Sequence, residues 1–345
     1  MKFRLAPIQL FVMLFLTTGS VFISFQSDLV NATGHDAWWL FLLAGLFHLP
    51  HLIIFEKCRD RFIWTRPVCL LYGLYWIYVI VSLIGYTVYT MEVWAFPKTP
   101  EMIVVLAIIL ISLYANINRA ETVVNIGVIL IPIMAILILF VMMGAKNFVW
   151  TNLFPVGGAS AGELYKGWLF SQLPFIGIEV YLLLRKLMPG QIRTKMIVIY
   201  SAIWYSFYSF MLIVPFLYFS IKEFSLIGDP IIYLLKSQQV TFLERLDLIF
   251  IYIWLIWSIA TIMVYVFAVL RLMIMCGARQ MKRKIIWFHV GIAVLAMFFT
   301  SKEMVHSTAI FYPYSHLLFA ILLPAFIMVF NKLRGKRDGG GGAPV

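Results

Sequence analysis

The chain has 345 residues, of which 63% are hydrophobic and only 12% are charged, and its formal net charge is +12. Soluble domains carry about a quarter charged residues, so this composition excludes a soluble protein and predicts an integral membrane protein. The basic residues lie between apolar runs and form no continuous patch, which argues against nucleic-acid binding. The three cysteines form no CxxC pair and indicate neither a disulfide framework nor a zinc site.

Ten apolar runs are long enough to cross a bilayer, since a hydrocarbon core of about 30 Å needs roughly 20 helical residues. The first run follows Lys2 and Arg4 but has no small-residue cleavage site, so it is expected to be a retained span and not a signal peptide. Residues 144–166 are expected to form an irregular loop, and residues 229–241 a short helix on the outer surface. The predicted spans are 5–27, 36–55, 67–92, 100–118, 121–143, 168–187, 195–221, 244–270, 285–301 and 308–331.

Lysine and arginine are distributed unequally between alternate loops. With ten spans and a cytoplasmic N-terminus, 20 of the 27 basic residues fall in inner segments and 7 in outer segments. Positive charge is concentrated in cytoplasmic loops. The distribution therefore predicts that both termini are cytoplasmic.

Two spans are interrupted near their middle by residues that weaken a helix. The first span contains Thr17, Thr18, Gly19 and Ser20, and the sixth contains the run 174–177, Pro-Phe-Ile-Gly. Breaks at matching places in two halves indicate a transporter-type site, because a helix breaks in hydrocarbon only where it faces protein or a cavity. An odd number of helices in each half makes the second half inverted. The predicted fold is all-α, with about ten transmembrane helices in a five-plus-five inverted repeat and broken helices 1 and 6.

Glu179 lies in the sixth span, five residues after Pro174. A carboxyl group inside a membrane is costly and therefore indicates a functional site. It has two interpretations of equal weight: ion or proton coupling, and structural capping of backbone amides freed by the break.

Polar residues also share faces on two other spans. Val79, Ser82 and Tyr86 are spaced by three and four in the third span, and Ser258 and Thr261 lie on one face of the eighth. These faces are candidates for the lining of a central pocket. His48 and His51 form an HxxH pair, but further ligands are missing, so we expect no metal site. The sequence contains no phosphate-binding loop, nucleophile elbow or acid–base carboxylate pair, and therefore predicts no enzymatic activity and no cofactor.

Four short stretches resemble a known family, the B subunits of nutrient germinant receptors from endospore-forming bacteria, in the amino acid–polyamine–organocation superfamily. They occur in the family's order over most of the chain. They are Thr99-Pro100, the run 152–158 (Asn-Leu-Phe-Pro-Val-Gly-Gly), the run 175–180 (Phe-Ile-Gly-Ile-Glu-Val), and the run 244–247 (Glu-Arg-Leu-Asp) with Trp254.

The resemblance implies a LeuT-like fold in the spore inner membrane and a role in sensing a nutrient, chiefly an amino acid, together with A and C subunits. It implies a ligand site between helices 1, 3, 6 and 8. Late in the third span, where the family commonly has charged residues, this chain has Gly85, Tyr86 and Tyr89, which predicts an uncharged pocket. The ligand-binding candidates are Thr17, Thr18, Gly19, Ser20, Val79, Ser82, Phe175, Ile176, Gly177, Ser258 and Thr261.

The expected organisation is one transmembrane domain over 1–338, with a first repeat at about 5–143 and a second at about 168–331. The tail 339–345 is expected to be a disordered end or a remnant of cloning. Three functions remain open: a nutrient receptor, a proton-coupled amino acid permease, and a scaffold that has lost its ligand.

Overall fold

The computed structural model describes residues 4–18, 22–118, 120–238, 245–277 and 281–338, without the side chains of 120, 121, 134 and 335–338. Every regular element in these ranges is helical. The first half contains α1 (Pro7–Thr17), α2 (Phe25–Thr33), α3 (Ala37–Gly45), α4 (His48–Cys58), α5 (Arg66–Trp94), α6 (Glu101–Ile117), α7 (Ala120–Leu130) and α8 (Ile133–Met142). The second half contains α9 (Ala161–Phe170), α10 (Val180–Leu184), α11 (Thr194–Tyr218), α12 (Ile221–Leu226), α13 (Pro230–Lys236), α14 (Leu246–Met275), α15 (Lys282–Met297), α16 (Lys302–His316) and α17 (Leu323–Asp338).

Seven helical stretches in the described ranges are long and apolar enough to cross a membrane: Phe25–Arg61, Arg66–Trp94, Thr122–Asn147, Ala161–Leu187, Thr194–Tyr218, Leu246–Met275 and Lys302–Arg334. Of the remaining predicted spans, the fourth corresponds to the shorter helix α6 and the ninth to α15, while the first corresponds to α1 and to α2, which opens the stretch Phe25–Arg61. The first span is divided because the chain leaves the helix after Thr17 and resumes it at Phe25. The number of long helical stretches, seven, is therefore smaller than the number of apolar runs, ten.

Two sequence-based boundaries need correction. The first span continues to Thr33 instead of residue 27, and the sixth begins at Ala161, inside the stretch expected to be irregular. A capping box explains the second difference, since Ser160 accepts a hydrogen bond from the backbone of Glu163 and Glu163 accepts one from Ser160. The short helix predicted near Asp229 exists as α13, and it has one exposed face, with Tyr233 and Lys236, and one buried face. Its four apolar residues Ile231, Ile232, Leu234 and Leu235 are fully buried.

The long helices α5 and α14 pack against each other at the centre of the bundle, and both are largely buried. The stretches Thr122–Asn147 and Lys302–Arg334 are apolar, yet only about a quarter of their residues are buried, as expected for helices that face lipid. The centre of the bundle is therefore built by α5 and α14 with the two broken spans between and beside them.

Candidate ligand cavity at the two helix breaks

A cavity of about 680 Å³ begins at the two helix breaks and continues to one end of the bundle. That volume lies within the range of small-molecule pockets in proteins, about 300–1,000 Å³. Its deep part is lined by Thr17, Thr18, Val79, Ile176 and Tyr265, and its outer part reaches the exposed residues Leu226 and Lys302. We call the end of the bundle where the cavity emerges the open end.

The break in the sixth span is organised around Gly177 and Glu179. Pro174 lies in a short 3₁₀ turn, Leu173–Phe175, and Gly177 has a φ of +104°, a left-handed conformation that favours glycine. The fully buried Glu179 carboxyl accepts hydrogen bonds from the Gly177 amide at 3.0 Å and from the Trp76 indole at 3.1 Å. Glu179 thus caps a backbone amide that the break leaves without a helical partner.

The break in the first span is held by hydroxyl groups from several helices. The Thr17 hydroxyl donates to the Leu14 carbonyl at 2.9 Å, and the Thr18 hydroxyl donates to the same carbonyl at 3.0 Å. The Thr261 hydroxyl of α14 donates to the Leu16 carbonyl at 2.7 Å, and the Tyr208 hydroxyl of α11 donates to the Thr18 carbonyl. Such side-chain bonds compete with regular helix bonds, so the sequence around Thr17 favours an end of α1.

The two breaks lie against each other. A Cβ added at Gly177 would lie 2.7 Å from the Thr17 carbonyl oxygen and 2.7 Å from the Tyr265 hydroxyl. No side chain fits between these atoms. Glycine is therefore required at position 177 both for its backbone conformation and for this close approach.

The structure places the sequence-predicted site residues in three groups. Thr17, Thr18, Val79 and Ile176 line the cavity. Gly19 and Ser20 lie outside the described residues. The other predicted residues are buried but are not among the lining residues of the cavity. Phe175 contacts Trp204, and Thr261 donates a hydrogen bond to the first span. Gly177 lies at the close approach with Glu179 as its cap, and Ser82 and Ser258 are buried.

The sequence predicted an uncharged pocket at the helix breaks; farther out, Asp28 and Asp229 line the outer part of the cavity. Asp28 belongs to α2, beyond the predicted end of the first span, and Asp229 precedes α13. Both were missed because the sequence-based argument considered only the mid-membrane breaks. Asp28 carries a signal in the sequence, since it is an acidic residue within one helical turn of the first apolar run.

Asp229 is held by aromatic residues of α5. Its Oδ2 accepts a hydrogen bond from the Trp94 indole at 2.8 Å. Burial raises the pKa of the Asp229 carboxyl to about 6, and the negative charge of Asp28 adds to this effect, while hydrogen bonds from Trp94 and Tyr86 oppose it. The outer part of the cavity therefore combines carboxyl groups with aromatic faces, a pairing that suits a cationic group.

The other end of the bundle is closed by an ion pair between α4 and the sixth span. Arg185 donates to Glu56 through Nε at 2.7 Å and through Nη2 at 3.0 Å. Tyr181 donates to the same carboxylate at 2.8 Å, and Arg59 donates to it at 2.6 Å. We call Glu56, Arg59, Tyr181 and Arg185 the closed end.

The rings of the HxxH pair have different partners. His48 stacks on Trp204, with ring centroids 4.1 Å apart, and its Nδ1 lies 3.3 Å from the Ser201 hydroxyl. His51 Nε2 donates to the Ala320 carbonyl at 2.9 Å. Both rings pack between helices, and neither lines the cavity.

The fold is similar to that of a sodium-coupled sialic acid symporter solved in a substrate-bound outward-open state. The two chains share 12% sequence identity with a TM-score of 0.55, and the similarity covers 93% of this chain and 80% of the symporter. At this identity the similarity concerns the fold alone, which is the LeuT-like arrangement in which the first and sixth spans are broken.

Comparison of sequences gives the family. No curated protein sequence matches this chain significantly. The model of the spore germination protein family, a family of spore permeases, matches residues 4–305. That match covers most of the chain, and it agrees with a transporter fold whose two broken spans meet at a cavity. The chain therefore belongs to the spore germination protein family of integral membrane permeases.

Proposed function

We propose that this chain is the nutrient-sensing membrane subunit of a spore germinant receptor, and that it binds an amino acid in the cavity between the first, third, sixth and eighth spans. The observation that carries the proposal is the cavity of about 680 Å³ that begins at the two helix breaks. Family membership supports the role in germination. The spore inner membrane is the expected location, and the excess of basic residues in alternate loops supports cytoplasmic termini.

The lining of the cavity suits a small zwitterion. Its deep part offers hydroxyl groups of Thr17 and Thr18 and apolar walls from Val79 and Ile176. Among the described lining residues, the basic side chains are Lys302 and His306, and both lie at the exposed end. A ligand carboxylate in the deep part would therefore be held by backbone N–H groups at the breaks, as at other helix termini.

In the receptor proposal, the ligand shifts an equilibrium between conformations that the A and C subunits detect. A ligand moves such an equilibrium only if its affinity differs between the two states. The Glu56–Arg185 pair at the closed end joins α4 to the segment that follows the sixth-span break. We expect this pair to be formed in one of the two conformations and broken in the other.

A second function, proton-coupled amino acid transport, is favoured by a specific observation. The cavity emerges at one end of the bundle, while the other end is closed by buried ionic contacts. This is the geometry expected of one state of an alternating-access transporter. Uptake of labelled amino acids into proteoliposomes that contain the purified chain separates the two functions. Concentrative uptake would contradict a pure receptor, and binding without uptake would contradict the permease.

The site itself is tested by Ile176→Trp, which fills the cavity where the two breaks meet. We expect the amino acid response of spores to be lost while the subunit still assembles in the membrane. Leu70→Trp is the matched control, because Leu70 is 64% exposed on the outer surface of α5. A normal response of Ile176→Trp would contradict the proposed site and favour a scaffold role.

A further inference from the structure

The environment of Glu179 differs from that of the ion-paired carboxylate Glu56. Both Glu179 oxygens accept hydrogen bonds from neutral N–H donors, and the side chain is fully buried. Within the part of the chain that the structure describes, no lysine, arginine or histidine forms an ion pair with it. An ionised carboxylate without a partner is strongly unfavourable at membrane depth.

Two tyrosine hydroxyl groups near Glu179 have no hydrogen-bond partner. They belong to Tyr75 of α5 and Tyr265 of α14, which are 4% and 1% exposed. Each interacts electrostatically with Glu179. A protonated carboxyl needs an acceptor for its O–H group, and a tyrosine hydroxyl accepts hydrogen bonds. Either hydroxyl group is therefore a candidate acceptor for the O–H group of a protonated Glu179.

The other groups that face Glu179 are neutral. On α5 they are Trp76 and Tyr72, whose hydroxyl donates to the Phe319 carbonyl at 2.7 Å. On α1 the nearest polar group is Thr17, across the close approach at Gly177. On the sixth span the next charged residue is Arg185, which is paired with Glu56. Among the residues that the structure describes, these neighbours supply no charge that would compensate an ionised Glu179.

We infer that Glu179 is a proton-binding site, and that Tyr265 connects it to the ligand cavity. Tyr265 lines the cavity, and its hydroxyl lies beside Gly177, whose amide is bonded to the Glu179 carboxyl. A proton would move from a hydronium ion in the cavity to a carboxylate oxygen of Glu179: one O–H bond of the hydronium breaks and leaves water, and one O–H bond forms on the carboxyl group. Proton-binding sites of this kind use a buried carboxyl with neutral hydrogen-bond partners.

Proton binding at Glu179 also affects the ligand site, because the same carboxyl holds the Gly177 amide. A neutral carboxyl accepts a weaker hydrogen bond than a carboxylate, so the turn at Gly177 beside Ile176 changes with the proton. This second step depends on the proposed function. By thermodynamic reciprocity, a proton that changes ligand affinity is itself bound more or less tightly when the ligand is present.

The proton site is tested without any ligand by labelling with dicyclohexylcarbodiimide, which reacts with protonated carboxyl groups in apolar surroundings. The full chain in lipid nanodiscs is exposed to the reagent from mildly acidic to mildly alkaline pH, and labelling of Glu179 is measured by mass spectrometry. We expect labelling to be at least several-fold greater at acidic pH and unaffected by sodium or potassium ions. Labelling that does not depend on pH, or protection by sodium, would overturn the inference.

The role of Tyr265 as a positioning residue is tested by the matched pair Tyr265→Phe and Tyr72→Phe. Loss of the Tyr265 hydroxyl removes an acceptor for the bound proton, so the labelling curve should shift toward lower pH. Tyr72→Phe should leave the curve in place, because the Tyr72 hydroxyl is already bonded to Phe319. Equal curves for wild type and Tyr265→Phe would contradict the assignment.

The link to the ligand is measured separately, as amino acid affinity against pH in wild type and in Glu179→Gln. Wild-type affinity should change at least threefold across the pH range in which labelling changes, and the variant, which is permanently neutral, should show no such dependence. If no amino acid binds at any pH, the proposed function fails, while the labelling experiment still decides the proton site. Binding that is equally independent of pH in both proteins would overturn the coupling.

Discussion

The two ends of the bundle differ in whether their buried carboxyl groups form ion pairs. At the closed end, Glu56 and Arg185 are 13% and 5% exposed, and they are joined by two hydrogen bonds. At the open end, Asp28 and Asp229 line the cavity, and neither forms an ion pair within the described residues. The Glu56 carboxylate is thus paired with arginine at the closed end, whereas at the open end Asp229 accepts a hydrogen bond from Trp94 and Asp28 interacts electrostatically with His306.

The comparison suggests that the ion pair at the closed end stabilises the folded protein, whereas the carboxyl groups at the open end are available to bind a ligand. A paired buried carboxylate fixes two helices relative to each other, since removing one partner leaves an uncompensated charge. An unpaired carboxyl at a cavity wall keeps its capacity to interact with a ligand. We therefore expect substitutions at the closed end to affect the folded structure and substitutions around the cavity to affect binding.

The largest effect is expected from Arg185→Leu, which leaves Glu56 buried beside Tyr181 and Arg59 without its main partner. The loss of stability should be about 3–5 kcal/mol. Unfolding in mixed micelles measures it, and the double variant Glu56→Gln/Arg185→Leu should recover a substantial part. Arg59→Ala is the control, because Arg59 is more exposed and its ion pair should be worth at most about 1 kcal/mol. Equal losses for Arg185→Leu and Arg59→Ala would show that the closed end is not held by this pair.

Gly177→Val is expected to weaken amino acid binding at least a hundredfold, because the new Cβ meets the Thr17 carbonyl and the Tyr265 hydroxyl at 2.7 Å. Gly157→Val is the matched control. Gly157 also has a positive φ, +83°, but nothing lies within 4 Å of an added Cβ. It therefore carries the backbone strain without the collision. Isothermal titration or fluorescence binding measures both, and a similar loss in the two variants would assign the effect to strain alone.

Asp229→Asn is expected to alter stability in a pH-dependent way. Because the folded-state pKa is about 6 and the ordinary value is 3.8, ionisation of Asp229 destabilises the folded protein. The cost is absent below about pH 4, grows between pH 4 and pH 6, and is complete above pH 6. The variant should exceed wild type by about 1–3 kcal/mol above pH 6 and equal it below pH 4. A destabilisation that is the same at every pH would show that the Trp94 hydrogen bond dominates.

The smallest effect is expected from Glu223→Ala in the capping box of α12 at the open end. Hydrogen bonds from Ser220 lower the pKa of Glu223, so its contribution is present above the ordinary carboxyl pKa and is lost as the pH falls through the folded-state value. We expect a loss below about 1 kcal/mol at neutral pH. Thermal unfolding at neutral and acidic pH measures this loss. A larger loss would mean that the capping box is needed to hold Phe224 of α12 in the core, where it is fully buried.

Much of the fold could be predicted from the residues. The breaks near Thr17 and Gly177 follow from local chemistry, since threonine hydroxyls, proline and glycine disturb a helix wherever they occur. Glu179 was open to two interpretations, and its hydrogen bond from the Gly177 amide is the contact that capping requires. Proton coupling remains a proposal. Ser258 and Thr261 share a buried face, but that face packs against the first span and does not line the cavity.

The sequence by itself determined that this is an all-helical membrane protein with two interrupted spans, because apolar length and helix-breaking residues are local properties. Only the tertiary structure decided that Thr17 lies against Gly177, that Asp28 and Asp229 share a cavity, and that Glu56 pairs with Arg185. These pairs are separated by more than a hundred positions in the chain. Their contacts depend on how helices from the two halves pack, and no residue pattern within either half contains that information.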